Sequence, residues 1–191
     1  PIQTPTVDLK LVNIQNPDLG INCGSVIIPK VMVKNVGINT ISSILVNYTI
    51  DGTSYNYSWN GSIATDESAL INLPAATLSR GSHTLNVTTT TTDDAYSENN
   101  TGSVTFYSND SGIIGQVNPF TNPSDALISY NESGTNGWVR GIRASGTMTT
   151  SGNTVYTTNL TGNYSNLTKS YLVSQCYNLS TITNPQIQFT M

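Results

Sequence analysis

The chain has 191 residues, of which only 9% are Asp, Glu, Lys or Arg, against roughly 25% in an ordinary soluble domain. Hydrophobic residues reach 37%, which excludes a disordered polar tract. The net charge of −4 argues against nucleic acid or an anionic membrane as a partner, since both need clustered Lys and Arg. No apolar run approaches the roughly 20 residues that cross a bilayer, so no direct membrane insertion is expected.

Short runs in which apolar and polar residues alternate are typical of β-strands with one buried face. Seven such runs occur before residue 108, and Asp51-Gly52 between two of them is a strong hairpin signal. Pro29 lies inside the second run and predicts a bulge or an unpaired edge position. Seven strands at this spacing predict an immunoglobulin-like sandwich over residues 1–108. The predicted strands are Val7–Ile14, Val26–Val33, Ile44–Ile50, Ser54–Trp59, Ala69–Leu73, Thr84–Thr92 and Ser103–Tyr107.

Five motifs follow one another along this first half of the chain. They are the opening DLKLVNI, VMVKNVG (Val31–Gly37), VNYTIDG (Val46–Gly52), LSRGSHTLNV (Leu78–Val87) and DDAYSENN (Asp93–Asn100). In this order they resemble the CARDB module, a fibronectin-III-like sandwich of bacterial surface and secreted proteins. The resemblance runs from residue 7 to residue 107 and implies adhesion or spacing between domains rather than catalysis.

Residues 109–191 open with a stretch rich in Gly, Asn and Pro, which predicts a domain boundary. The Trp138 segment, Tyr171–Ser180 and Asn184–Phe189 resemble MAM-like or lectin-like jelly-roll domains of extracellular Bacteroidetes proteins, often type IX secretion cargo. A jelly roll needs about eight strands, and this chain supplies roughly half of them. We therefore expect a partial jelly roll, completed by neighbouring domains of the same polypeptide or by another chain. Its predicted strands are Ala126–Tyr130, Trp138–Arg143, Thr154–Thr158, Tyr171–Val173 and Ile187–Phe189.

The sequence offers little catalytic chemistry. His83 is the only histidine, and no HExxH, Cys-x-x-Cys or Gly-x-Ser-x-Gly motif occurs. No enzyme is predicted. Cys23 and Cys176 are the only cysteines; they either pair, remain as two buried thiols, or pair with partners elsewhere in a longer chain.

One loop carries a candidate metal site. Asp93, Asp94, Glu98 and Asn99 crowd side-chain oxygens into a few residues, and Ca²⁺ takes six to eight oxygen ligands at about 2.4 Å. The alternative is a hairpin loop whose Asn and Asp side chains satisfy their own backbone. Calcium is the one cofactor that the sequence suggests.

Two groups of aromatic residues are candidates for ligand binding. Trp138, Arg140 and Arg143 share a short segment and suggest a small cationic, aromatic patch. The alternative makes Trp138 a core residue and leaves the two arginines in solvent. In the first half, the side chains of residues 55, 57 and 59 share one face of a strand, which is either core or an exposed platform.

These features predict a non-catalytic adhesion, binding and spacer region of a large extracellular bacterial surface protein. Its partner would be a protein or a glycan on a surface, bound by surface complementarity without covalent chemistry. Two alternatives stay open: an accessory region of a secreted hydrolase such as a metallopeptidase, and a carbohydrate-binding module.

Overall fold

A computed structural model describes residues 4–18, 20–122, 127–135, 137–143 and 153–188. Their regular structure consists of β-strands apart from one 3₁₀ turn at Ser97–Asn99, which confirms the predicted all-β fold class. The chain divides into two compact units, Pro1–Asn109 and Asp110–Met191. Within the described part of the chain, no helix is long and apolar enough to cross a membrane.

The first unit is a β-sandwich. Its strands are β1 (Leu9–Asn16), β2 (Ile21–Cys23), β3 (Val26–Ile27), β4 (Lys30–Asn35), β5 (Ile41–Ile50), β6 (Thr53–Ile63), β7 (Ser68–Asn72), β8 (Ala76–Thr77), β9 (Gly81–Thr90) and β10 (Thr101–Asn109). One sheet has three strands in the order β1-β4-β7, and the other has five in the order β2-β10-β9-β5-β6. Strand β2 pairs with β10 in parallel, whereas the other neighbours are antiparallel.

The core of this unit follows from the alternation of side chains along each strand. Val31 and Val33 of β4 are fully buried, and so are Leu85 of β9 and Phe106 of β10 in the facing sheet. Both sheets contribute to one continuous hydrophobic cluster. Full burial of such a side chain stabilises the fold by about 1.5–3 kcal/mol, so this shared inward face holds the two sheets together.

Three local features differ from the sequence prediction. Pro29 separates β3 from β4, where one strand over Val26–Val33 was expected, because proline has no N–H to donate to the ladder. Its carbonyl still accepts a hydrogen bond from the Leu73 N–H at 2.8 Å. Strands β2 and β8 were not predicted, because three and two residues are too few for an alternation of apolar and polar residues to be recognised in the sequence.

The second unit contains two two-stranded antiparallel sheets in its described residues. Strand β11 (Ile128–Ser133) pairs with β14 (Lys169–Val173), and β12 (Val139–Gly141) pairs with β13 (Val155–Thr157). Of the strand predicted over Ile187–Phe189, residues 187 and 188 are not in a strand, and residue 189 lies outside the described residues, as does Ala126. The jelly roll stays a prediction.

Candidate functional site

The outer face of the five-stranded sheet carries no formal charge on its four long strands. Its side chains belong to β5, β6, β9 and β10, point away from the core, and are exposed or half-buried. Apart from Leu45 and Tyr107, these residues are Ser, Thr or Asn. We call this surface the uncharged face; it comprises Ser43, Leu45, Asn47, Thr49, Ser54, Asn56, Ser58, Asn60, Ser82, Thr84, Asn86, Thr88, Thr90, Thr101, Ser103, Thr105 and Tyr107.

Cross-strand hydrogen bonds order part of this face. The Asn86 amide donates to the Thr49 hydroxyl at 3.2 Å and accepts from the Ser103 hydroxyl at 2.8 Å. Thr84 and Thr105 share a hydroxyl–hydroxyl hydrogen bond of 3.3 Å. The registers place Asn47 opposite both Asn56 and Thr88, so amide and hydroxyl groups lie side by side across the strands. The result is a regular array of uncharged donors and acceptors.

The outer face of the three-stranded sheet differs in character. Three of the four lysines of the chain lie there, Lys10, Lys30 and Lys34. Lys10 stands directly opposite Lys34, an arrangement that is destabilising for like charges. The Lys34 ammonium lies 3.2 Å from the carboxylate of Asp66, which offsets part of that repulsion. The positive charge of the first unit is therefore concentrated on the side away from the uncharged face.

The Asp51 carboxylate connects the β5–β6 turn to the first residues of β9. We call Asp51, His83 and Thr84 the Asp51 clamp. Asp51 begins the β5–β6 turn with φ 50°, and Gly52 follows with φ 83°. The two carboxylate oxygens accept from the Thr84 N–H at 2.8 Å and contact His83 Nδ1 at 2.6 Å. Partial burial raises the pKa of Asp51, but the hydrogen bonds from His83 and Thr84 outweigh it and hold the pKa below its usual value.

Both ring nitrogens of His83 have hydrogen-bond partners inside the first unit. His83 is buried, its Nδ1 contacts Asp51, and its Nε2 lies 2.8 Å from the Ser79 carbonyl oxygen. The ring also packs against Phe106 with a centroid distance of 5.6 Å. A general base needs a nitrogen within reach of a substrate proton. Both ring nitrogens of His83 are used inside the fold, so its role here is structural.

The acidic loop between β9 and β10 folds back onto the start of β1. The Leu9 N–H donates to the Asp94 carboxylate at 3.2 Å, and the Asn99 amide donates to Asp8 at 3.0 Å. The Asn100 amide also donates to Asp94. Asp8 and Asn100 are buried, and Asp94 and Asn99 are half-buried. We call Asp8, Asp94, Asn99 and Asn100 the Asx cluster.

The predicted calcium residues are only partly brought together. Asp94 and Asn99 belong to the Asx cluster, whereas Asp93 and Glu98 are exposed. Asp93 has φ 59°, a turn conformation that Asp tolerates. Across the described residues, no three His, Cys, Asp or Glu side chains form a group that would hold a metal ion. Calcium binding by the four predicted residues stays a prediction.

The predicted patch in the second unit is built differently from the sequence interpretation. The Arg140 guanidinium donates to the Phe120 and Thr121 carbonyls at 2.5 and 2.7 Å. The Arg143 guanidinium donates to the carbonyls of Asn159 and Gly162 at 2.7 and 3.2 Å. Each arginine thus holds backbone of its own unit. Ligand binding by Trp138, Arg140 and Arg143 stays a prediction.

Trp138, the aromatic member of that patch, is half-buried, and its backbone N–H donates to the Ser170 hydroxyl at 3.2 Å. In the first unit, Tyr57 and Trp59 pack against the hydrophobic core, so this face of β6 is mainly core. Tyr55 is 41% exposed and stacks on the buried Tyr48 with centroids 5.2 Å apart. The structure therefore favours the core interpretation of the β6 aromatics over an exposed platform.

An exposed polar group joins β11 to β14. The Lys169 ammonium lies 2.7–2.8 Å from the Glu132 carboxylate, which also accepts from the Tyr171 hydroxyl at 2.6 Å. The hydrogen bonds from Lys169 and Tyr171 hold the pKa of Glu132 below its usual value. The ring of Tyr171 stacks on that of Tyr130 with centroids 5.0 Å apart. The cluster stabilises the pairing of the two strands.

The two cysteines were left open by the sequence. Neither Cys23 nor Cys176 is a free thiol in the structure, because both are disulfide-bonded. This removes the alternative of two free thiols and leaves neither cysteine as a nucleophile or a thiolate metal ligand.

No family model matches the chain, and no curated protein is similar to it. Among solved structures, it is similar to the CARDB domain of the PF1109 protein from Pyrococcus furiosus, in complex with di-metal ions: 23% identity, TM-score 0.46, covering 56% of this chain and 93% of that one. It is also similar to a domain described as part of a cell surface protein from Methanosarcina acetivorans: 20% identity, TM-score 0.45, covering 56% and 93%.

CARDB domains are thus among the structures that this chain is similar to over about half its length, as the five motifs predicted. At these identities the similarity is one of fold alone. The predicted Bacteroidetes origin and type IX secretion stay predictions.

Proposed function

We propose that the chain is a non-catalytic binding and spacer region of an extracellular surface protein, and that the uncharged face of the first unit contacts the partner. The observation that carries this proposal is the composition of that face, which offers hydroxyl and amide groups on four adjacent strands without a formal charge. Such a surface is complementary to a neutral, hydroxyl-rich polymer, so the proposed partner is a neutral surface glycan.

The occupied ring of His83 and the disulfide-bonded cysteines support a role without covalent chemistry. Binding would then rest on many individually weak hydrogen bonds, each contributing about 0.5–1.5 kcal/mol net. Because no charges take part, ionic strength has little to screen. The same role would serve equally in an accessory region of a secreted hydrolase.

The test measures binding of the full chain to immobilised neutral and acidic glycans at low and high salt. We expect binding to neutral glycans that salt leaves unchanged. Thr88→Lys places a charge in the middle of the uncharged face and should weaken binding at least tenfold, whereas Ser68→Lys, on the three-stranded sheet, should not. No binding above background would reject the glycan as partner, and equal loss in both variants would reject the location.

A further inference from the structure

The Asx cluster contains side-chain oxygens that have no hydrogen-bond partner. The Oδ1 atoms of Asn99 and Asn100 are both buried and unpaired, and Asn100 as a whole is 1% exposed. The amide nitrogens of the same two side chains donate to the carboxylates of Asp8 and Asp94, so each unpaired oxygen belongs to an amide group that touches a carboxylate of the cluster. A buried unpaired polar group in a native protein requires an explanation.

The buried side-chain amide of Asn35, in the same unit, has partners for both its nitrogen and its oxygen. Its Nδ2 donates to the carbonyls of Asn39 and Ile63 at 2.8 and 2.9 Å, and its Oδ1 accepts from the Gly37 N–H at 3.0 Å. Both ends of that amide are satisfied within the protein. Among the described residues, the two oxygens of the Asx cluster are the buried side-chain polar atoms that have no hydrogen-bond partner.

The charge at the cluster is also uncompensated. Asp8 is 5% exposed, and within the described residues neither Asp8 nor Asp94 has a Lys, Arg or His at ion-pair distance. A buried carboxylate without a positive partner is costly. A single cation that takes oxygen ligands would compensate the charge of both carboxylates and would also pair with both amide oxygens.

We propose that the Asx cluster binds one Ca²⁺ ion through the carboxylates of Asp8 and Asp94 and the amide oxygens of Asn99 and Asn100. Ca²⁺ accepts such hard oxygen donors in flexible geometry, and water supplies the rest of its six to eight ligands. The ion ties the β9–β10 loop to the first strand of the sandwich. This site differs from the predicted one in replacing Asp93 and Glu98 by Asp8 and Asn100, and it is independent of the proposed glycan partner.

The experiment titrates the chelator-treated full chain with Ca²⁺ by calorimetry, and with Tb³⁺ followed by luminescence that Tyr96 of the same loop sensitises. Weak extracellular calcium modules bind near the millimolar range. We expect saturable binding of one ion, a higher melting temperature with Ca²⁺, and displacement of Tb³⁺ by Ca²⁺. No saturable binding up to about 10 mM Ca²⁺ would overturn the proposal and assign the buried oxygens to water.

Matched variants locate the ion. Asp8→Asn removes one ligand charge with little change of shape and should weaken Ca²⁺ binding about tenfold or more, and Asp94→Asn should do the same. Glu98→Gln and Asp93→Asn remove equal charges from the exposed part of the loop and should leave the affinity within about twofold. The reverse pattern would overturn the proposed ligand set. The wild-type titration decides between ion and water even where a cluster variant fails to fold.

Discussion

The two units share a Thr-, Asn- and Ser-rich composition but differ in what holds them together. In the first, strands of up to eleven residues turn their apolar side chains to a common interior, and Phe106, Leu85 and Val46 are fully buried. In the described part of the second, Ile128 is the one buried large hydrophobic residue, and Leu167 is 95% exposed. The contrast shows that alternation builds a core only where several long strands share one inward face.

The largest expected effect tests this contrast directly. Phe106→Ala removes a fully buried ring from the first unit and should lower its free energy of unfolding by about 3–5 kcal/mol. Amide hydrogen exchange along β9 and β10 measures the change. Val12→Ala, at an exposed site of β1, is the matched control and should cost less than about 0.5 kcal/mol.

Ile128→Ala tests the same contrast in the second unit. Because this side chain has few buried neighbours, its loss should cost the β11–β14 pair less than about 2 kcal/mol. Amide exchange along β11 and β14 reports it. A loss as large as that of Phe106→Ala would mean that the second unit has a comparable core, and the contrast would be wrong.

The third prediction concerns the Asp51 clamp. Asp51→Asn keeps the left-handed turn but loses the charged acceptor for His83 and Thr84, and at pH 7 should destabilise the first unit by about 1–3 kcal/mol. Because the folded-state pKa of Asp51 lies below the unfolded one, the carboxylate stabilises the fold above the unfolded pKa, near 3.9, and this is lost as pH falls.

Denaturation curves from pH 2 to pH 7 measure that difference. Asp66→Asn is the control, since Asp66 also occupies a left-handed turn but makes only an exposed ion pair with Lys34. A constant gap between wild type and Asp51→Asn down to pH 2 would show that the charge of Asp51 is not what matters.

A smaller effect is expected in the second unit. Arg140→Lys replaces a guanidinium that reaches two carbonyls by an ammonium that cannot keep both contacts, and should cost about 0.5–1.5 kcal/mol locally. Faster amide exchange in β12 and β13 would report it. Unchanged exchange would leave Arg140 available for the ligand role that the sequence suggested.

The smallest effect concerns the Glu132 group. Its pKa is lowered by hydrogen bonds from Lys169 and Tyr171, so the pairing favours the ionised form and is lost as pH falls toward and below the ordinary value near 4.5. Lys169→Met should move the NMR-detected pKa of Glu132 upward, and about 1 M salt should act in the same direction. Lys10→Met should leave it unchanged; an equal shift there would point to long-range charge instead.

Much of the first unit was predictable because its signals are local. The alternation in Lys30–Asn35 and the Asp51-Gly52 turn need only a few neighbouring residues to be recognised. The Asx cluster was only half predictable. Asp94 and Asn99 lie in one acidic stretch, but Asp8 is 91 positions from Asn99, and its place at the cluster follows from how β1 packs against the loop. The parallel pairing of β2 with β10 was missed for the same reason.

The alternation of outward residues on the uncharged face affects the choice of host for producing the protein. On these strands an outward Asn is followed two positions later by an outward Ser or Thr, as in Asn47-Tyr48-Thr49 and Asn86-Val87-Thr88. Asn-x-Ser/Thr is also the acceptor triplet for N-linked oligosaccharides in a eukaryotic secretory pathway. Protein produced in such a host would acquire sugar chains on the very surface proposed to bind, so recombinant material for binding studies is best made where that modification does not occur.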